Sequence, residues 1–339
     1  MRYSIKKNYM VKWGILGAGK IARKFASDLA LVEGAALAAV GSRNREKAES
    51  FARDFRIPHV HASYEELVAS ADVDVIYVAT PHSHHFEHTR LCLENGKAVL
   101  CEKAFAVNSE QAKEMIRLAS EKKLFLMEAL WTKFLPHYRR LKQLLDDDVV
   151  GGVESVLINF GFRPEHPVPQ RLFDPALAGG TMLDIGIYNV FMAMSVLGKP
   201  DHIDAFMSPA ATGIDAQCAV LFRYNNGAMA QLFSSFTTHL PTEAEISGPN
   251  GRIRLTHRFY APESTIEFYP GRPDTVQNIV FENENTGFGY QHEARHVVEC
   301  LEKGLVESPV MTHQDTIDLM EVLDAIRKKA GIQYTADKW

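Results

Sequence analysis

A six-residue turn, Gly17-Ala18-Gly19-Lys20-Ile21-Ala22, limits what this chain can become. It comes after a short apolar run, VKWGIL, and opens an amphipathic helical pattern that reaches Ala30. In that setting each small residue has a function. Gly17 permits the tight turn, Gly19 lets backbone amides approach a pyrophosphate, and Ala22 allows close helix–strand packing. The helix start, with Lys20 and Ile21 in its first turn, adds positive potential for phosphates. Strand, glycine turn and helix together predict a dinucleotide-binding unit.

The next strand, AALAAVGS (35–42), sharpens this. In NAD enzymes an Asp or Glu usually ends that strand and binds the ribose 2′-hydroxyl. Here Ser42 and Arg43 come after Gly41, with Asn44 and Arg45 behind. A guanidinium suits a 2′-phosphate, so the sequence predicts NADP(H) over NAD(H). The alternating pattern then repeats. DVDVIYVAT (72–80) runs into Pro81-His82-Ser83-His84-His85, and KAVLC runs into Glu102-Lys103. Strands alternating with helices predict a parallel, doubly wound sheet, whose ligands bind outside the carboxyl ends of the strands. Thr80, Pro81, His82 and His85, like Glu102 and Lys103, are expected at such ends, beside the cofactor.

The chain has 339 residues, which at roughly 100–200 per domain predicts two domains. A formal net charge of −5 argues against nucleic acid as the main partner. No apolar run approaches the ~20 residues of a membrane helix, so no membrane association is expected. Residues 1–10 are basic but lack an apolar segment behind them, and read as a short extension rather than a secretory signal. The four cysteines, Cys92, Cys101, Cys218 and Cys300, have no CxxC spacing. They predict free thiols in a reducing cytoplasm.

From about residue 131 the character changes. Segments 151–162, 201–208, 216–236, 242–255 and 264–270 read as strands, and Asn225-Asn226-Gly227 and Pro249-Asn250-Gly251 as hairpin turns. Helical patterns occupy 180–198, 289–304 and 312–331. The fold class expected is α/β. An N-terminal Rossmann sheet (11–130) precedes a C-terminal α+β domain (131–339) for substrate binding and oligomerisation, with a broad, largely antiparallel open sheet.

Within 180–198, Asp184 and Tyr188 stand four apart, on one helical face, with Gly186 between them. That pattern alone equally fits a buried helix whose tyrosine found a partner. In order along the chain stand Gly17 to Ala22, Thr80-Pro81 with His85, Glu102-Lys103, Glu128-Ala129-Leu130-Trp131, Arg171-Leu172-Phe173-Asp174-Pro175, and Asp184-Ile185-Gly186-Ile187-Tyr188. Together they make the chain resemble the glucose-fructose oxidoreductase and inositol dehydrogenase family of NAD(P)-dependent oxidoreductases. The likeness is greatest to its dimeric dihydrodiol dehydrogenase and NADP-dependent D-xylose dehydrogenase branch. It implies that Lys103 lies beside the nicotinamide and that Tyr188 is the acid/base, where many members carry histidine. It also implies a homodimer, or a dimer of dimers, through the C-terminal sheet. Ala104 replaces a proline of the family's Glu-Lys-Pro turn, which puts the rigidity of that turn in question.

The chemistry agrees. Oxidising a hydroxyl requires loss of a hydride and of a proton. A free phenol, with a pKa near 10, is a poor base at pH 7, and a nearby ammonium favours its ionised form. Lys103 is the candidate ammonium, provided the two domains face each other. Asp184 either orients a substrate hydroxyl or holds Lys103 charged. Trp131 reads equally as hinge core or pocket wall, and Arg171 as substrate ligand or ion-pair partner of Asp174. His82, His84, His85 and His88 lack a clear metal-ligand set, so no metal is expected. The function expected is NADP-dependent hydride transfer to or from a small polyhydroxylated substrate, an aldose or a trans-dihydrodiol. The alternatives are a non-catalytic NADP(H)- or sugar-sensing protein and an enzyme that keeps its cofactor and acts on two sugars in turn.

Overall fold

The structure, a computed structural model, describes residues 10–165, 170–271, 275–283 and 286–338. It divides into two compact units. One takes the chain to Phe105, Gln111–Trp131, and a late stretch ending at His313; the other takes Ala106–Glu110, Thr132–Asn283 and the chain from Gln314 on.

In chain order the first unit has β1 (Val11–Leu16), α1 (Lys20–Leu29), β2 (Ala35–Gly41), α2 (Arg45–Phe55), β3 (His59–His61), α3 (Tyr64–Ala69), β4 (Val75–Val78), α4 (His85–Glu94), β5 (Ala98–Glu102), α5 (Ser109–Lys122) and β6 (Leu126–Ala129). The six strands form one sheet in the order β3-β2-β1-β4-β5-β6, every neighbouring pair parallel. β4 and β5 are buried at every position. Continuous apolar strands of this kind arise where both faces of a parallel sheet are covered. Phe25 of α1 stacks on Tyr77 of β4 with ring centroids 3.8 Å apart. The strand order reverses between β1 and β4, so the segments after these two strands flank the switch point where doubly wound sheets bind ligands.

The second unit contains α6 (Pro136–Asp146), β7 (Ser155–Gly161), a π-turn (Met182–Gly186) running into α7 (Ile187–Leu197), β8 (His202–Pro209), β9 (Asp215–Arg223), β10 (Met229–Ser235), β11 (Glu243–Gly248), β12 (Gly251–Leu255), β13 (Ile266–Pro270) and β14 (Gln277–Ile279). The late helix of the first unit, Tyr290–Glu302, is α8, and α9 runs His313–Ala330. The eight strands are ordered β14-β13-β12-β11-β7-β10-β9-β8. All pairs are antiparallel except β7–β10, which is parallel. The two anticipated turns join β9 to β10 and β11 to β12, with Gly227 at φ 95° and Gly251 at φ 150°. Inner residues Val156, Ile158, Phe160, Val220, Phe222 and Leu232 are buried, and α7 lies on β7 and β10.

One reading of the sequence needs correction. The helical stretch Pro175–Leu197 does have the length and, over an 18-residue window, the mean hydropathy (1.4) of a membrane helix, but 78% of that window is buried within the protein, as in a core helix. Arg327, next to Lys328 and Lys329 near the end of α9, is fully buried. It pairs with Asp337 at 2.7 Å, both side chains wholly inaccessible, and with Asp324 at 2.7 Å. Removing one partner of such a pair costs about 3–5 kcal/mol, because the other charge is stranded.

Candidate active site

The glycine turn lies at the β1–α1 junction. Gly17 adopts φ 103°, and a Cβ there would stand 3.1 Å from Thr80 Cγ2 and 3.2 Å from the Ala79 carbonyl. Glycine is therefore required by conformation and by space. At Gly19 the nearest atom to a hypothetical Cβ is 3.9 Å away, so the protein leaves the approach open. Gly19 N-caps α1 with no side-chain hydrogen bond and no acid in the first turn, where Lys20 is exposed and Ile21 partly so. The first amides of α1 thus carry no side-chain cap, an arrangement suited to an anion. At the end of β2, Ser42 is buried and its hydroxyl accepts from the Asn44 amide at 3.2 Å. Arg43 is exposed, and its guanidinium favours ionisation of the nearby Tyr64 phenol, whose pKa burial raises on balance. Arg45 is engaged by Glu49 at 2.9 Å. These features fit a dinucleotide carrying an extra phosphate at its ribose.

Lys103, partly exposed, comes directly after β5, and its amide donates to Glu102 Oε2 at 3.2 Å. Glu102 is buried and also accepts a hydrogen bond from the Tyr77 hydroxyl. The turn after Lys103 is pinned without a proline. The Lys103–Ala104 peptide is cis. The Ala104 carbonyl lies 2.7 Å from His85 Nδ1, and the Phe105 amide donates to Glu128 Oε1 at 3.2 Å. His85 is fully buried, and its Nε2 lies 2.7 Å from the Thr80 carbonyl. Burial pushes its pKa down to about 4, while the two carbonyls, both acceptors, raise it. His85 therefore ties the end of β4 to the Lys103 turn. Thr80 Oγ1 lies 2.9 Å from His88 Nδ1, Pro81 leads into a short 3-10 turn, and His82, which begins it, is buried. Trp131 is buried against Tyr290, the rings stacked 4.6 Å apart.

The second unit carries the tyrosine. Tyr188 and Asp184 are both buried, on α7 and the π-turn before it. Arg171 Nη1 donates to Asp184 Oδ1 at 3.2 Å, so the partner of Arg171 is Asp184, while Asp174 caps a short turn through the Ala176 amide. A Cβ on Gly186 would stand 2.9 Å from Met182 Sδ and 3.0 Å from Ser234 Oγ. Its room is filled by the protein's own packing. Ahead of the π-turn, buried Asp215 accepts from Thr181 Oγ1 at 2.7 Å and from the Met182 amide at 2.6 Å. Burial raises its pKa to about 6 against those bonds. Tyr260 lies 4.6 Å from the Tyr188 ring and stacks at 4.5 Å on Phe160. Its hydroxyl accepts from Arg258 at 3.3 Å. Sequence reading misses Tyr260, Phe160 and Asp215, because no local pattern marks a loop tyrosine or a strand-end aspartate that meets a helix 33 residues away. Among the described residues, no group of three or more His, Cys, Asp or Glu side chains is placed to hold a metal ion.

A glycine turn at the switch point of a parallel sheet, with a mixed-sheet unit later in the chain, defines a class of nucleotide-dependent oxidoreductase. Two family descriptions match this chain: "Oxidoreductase family, NAD-binding Rossmann fold" over residues 11–130 and "GFO/IDH/MocA C-terminal domain" over 138–254. The chain is 37% identical over 331 residues to trans-1,2-dihydrobenzene-1,2-diol dehydrogenase of Xenopus laevis, covering 95% of this chain and 99% of that one. The Homo sapiens enzyme of the same name is 35% identical over 337 residues, covering 97% and 99%. Among solved structures, a 3-ketoreductase from Actinomadura kijaniata in complex with NADP and TDP-benzene superposes with a TM-score of 0.86 at 25% identity, covering 95% and 98%. An aldose-aldose oxidoreductase from Caulobacter crescentus complexed with glycerol gives the same score, identity and coverage. The chain belongs to the GFO/IDH/MocA family. It is an NAD(P)-dependent dehydrogenase that acts on hydroxyl groups.

Proposed function

We propose that the protein transfers a hydride between NADP(H) and a small polyhydroxylated substrate, an aldose or a trans-dihydrodiol, with Tyr188 as acid/base and Lys103 as its electrostatic partner. One observation carries the reading: Gly17, Thr80 and Lys103 come after β1, β4 and β5, three adjacent strands of one parallel sheet, all at the carboxyl ends. A dinucleotide with its pyrophosphate on α1 would present its reactive ring along that edge. Bound there, the nicotinamide supplies the hydride chemistry.

The protein's own residues do the rest. Gly17, Gly19, Lys20 and Ile21 hold the pyrophosphate, and Ser42 and Arg43 the 2′-phosphate. Thr80, Pro81, His82, His85 and Glu102 shape the nicotinamide end, His85 and Glu102 by fixing the backbone around Lys103. The Tyr188 oxygen takes the proton of the substrate hydroxyl during oxidation and returns it during reduction. The Lys103 ammonium stabilises the ionised phenol and the oxygen that becomes a carbonyl. Asp184, held by Arg171, orients a neighbouring substrate hydroxyl, and Trp131 limits the space available. The aromatic patch of Tyr188, Tyr260 and Phe160 supports a substrate with an apolar face, which a cyclohexadiene diol and a pyranose both have. The names of the relatives, diol and sugar oxidoreductases, support the same pair of classes.

The outer face of the eight-stranded sheet is proposed as the homodimer surface. Phe206 (76% exposed), Leu157 and Met229 protrude from it. All four cysteines are buried free thiols, which suits the reducing cytoplasm. The test is turnover: purified protein with NADP⁺ is offered aldoses, inositols and trans-dihydrodiols while nicotinamide reduction is monitored. Reduction with one class names the substrate. NADP⁺ binding without turnover on any of them would favour the sensing alternative.

A further inference from the structure

Among the last described residues, Ile332, Tyr334 and the Asp337 side chain are buried in the second unit. Asp337 accepts from Arg327 and from the Tyr334 amide at 2.8 Å, and Asn108 Nδ2 holds the Ala336 carbonyl at 3.1 Å. The Arg327 guanidinium lies over the Tyr334 ring, 5.0 Å from its centroid. Tyr334 itself is 5% exposed, and its hydroxyl donates to the carbonyl of Gly179. Gly179 and Gly180 form the turn that enters the Met182–Gly186 π-turn. From the other side, Asp215 grips Thr181 and the Met182 amide. The turn has no slack: Gly180 sits at φ 115°, and a Cβ there would stand 2.1 Å from Asp215 Oδ1 and 3.1 Å from the Tyr334 hydroxyl. At Gly179 a Cβ would stand 2.7 Å from the Arg171 carbonyl and 2.8 Å from that of Leu172. The clamp therefore fixes the stretch that leads to Asp184 and Tyr188 and the backbone of Arg171, which partners Asp184. π-turns of this kind occur often at functional sites and need outside support.

We propose that the C-terminal turn is a strap that sets the position of the catalytic helix, with Tyr334 as a positioning residue for Tyr188. The proposal rests on the reading of Tyr188 as acid/base. A hydroxyl 155 positions along the chain from its acceptor gains nothing for local folding that a phenylalanine would not also supply (the ring, not the oxygen, packs on Arg327). What the oxygen adds is the position of one carbonyl at the head of the helix.

The test compares Tyr334→Phe and Thr181→Val, which remove one hydroxyl from each jaw of the clamp, with Tyr188→Phe and the wild type. Steady-state kinetics with NADP⁺ and a hydroxyl substrate that it oxidises are measured with amide exchange of residues 180–186. The strap requires kcat to fall roughly tenfold in each clamp variant, with the NADP⁺ dissociation constant unchanged and exchange at Met182 accelerated. Thr181→Val carries the test if Tyr334→Phe does not fold. Wild-type kcat in a folded clamp variant overturns the strap, provided Tyr188→Phe is inactive. A change in NADP⁺ affinity with kcat unchanged also overturns it. If Tyr188→Phe itself keeps wild-type turnover, the acid/base reading falls and the strap's catalytic role falls with it.

Discussion

At the scale of single residues, chemistry and stability rest on buried groups with few options. His137 is fully buried, its Nε2 bonded to the Phe259 carbonyl at 2.8 Å, and burial lowers its pKa to about 4. The unfolded chain takes up a proton near pH 6.5 while the folded one does not until about 4. Stability from this group is therefore complete above pH 6.5 and is lost as pH falls toward 4, by about 3 kcal/mol in all. Urea unfolding of the wild type and of His137→Gln at pH 7.5 and 4.5 checks this. The variant is expected to lose that much less between the two pH values, and equal losses would refute it. Arg43→Ala is expected to weaken NADP⁺ binding tenfold or more with little change for NAD⁺, because a guanidinium contact to a phosphate is lost. Equal weakening for both cofactors, measured by fluorescence titration, would contradict the 2′-phosphate assignment. Single residues are readable in the sequence where a local backbone demand marks them, as at Gly17 in its tight turn. Their partners are not: Arg171 meets Asp184, Arg327 meets Asp337, and Tyr260 meets Tyr188, and each pairing is fixed only by packing.

At the scale of elements, the six-stranded sheet of the first unit is legible almost throughout, while the return of α8 to that unit is not. The unit's strands are continuous apolar runs and its helices amphipathic, and the alternation of the two dictates a parallel sheet. In the second unit the hairpin turns announce β9–β10 and β11–β12, but not the parallel pairing of β7 with β10, which joins residues 74 positions apart at Ser155 and Met229. Helix α6 is not legible in the sequence, because the β-rich segments after it mask a short helix begun by Pro136 at its first turn. The three-residue β14 has no pattern to read. The glycine turn is the element proposed to hold the cofactor. Gly17→Ala places a Cβ into Thr80 and the Ala79 carbonyl at a backbone angle that alanine resists. NADP⁺ affinity is expected to fall at least tenfold, and the unfolding midpoint to drop with the strain in the turn; unchanged affinity would show that the turn does not hold the pyrophosphate.

At the scale of the whole molecule, two requirements stand out. The outer face of the eight-stranded sheet presents Phe206, Leu157 and Met229 to solvent, and light scattering is expected to give twice the 38.0 kDa chain mass. Phe206→Glu is expected to yield the monomer; a wild-type monomer would dismiss the dimer. The second requirement is catalytic. Family membership establishes a dehydrogenase, but the identity of its acid/base is a claim about one oxygen atom. Tyr188→Phe removes that oxygen and leaves the ring against Tyr260 and Phe160. With NADP⁺ and the substrate class found by turnover, kcat is expected to fall by about 10²–10⁴-fold, with the NADP⁺ dissociation constant unchanged. A Tyr188→Phe enzyme that turns over at the wild-type rate would contradict the mechanism.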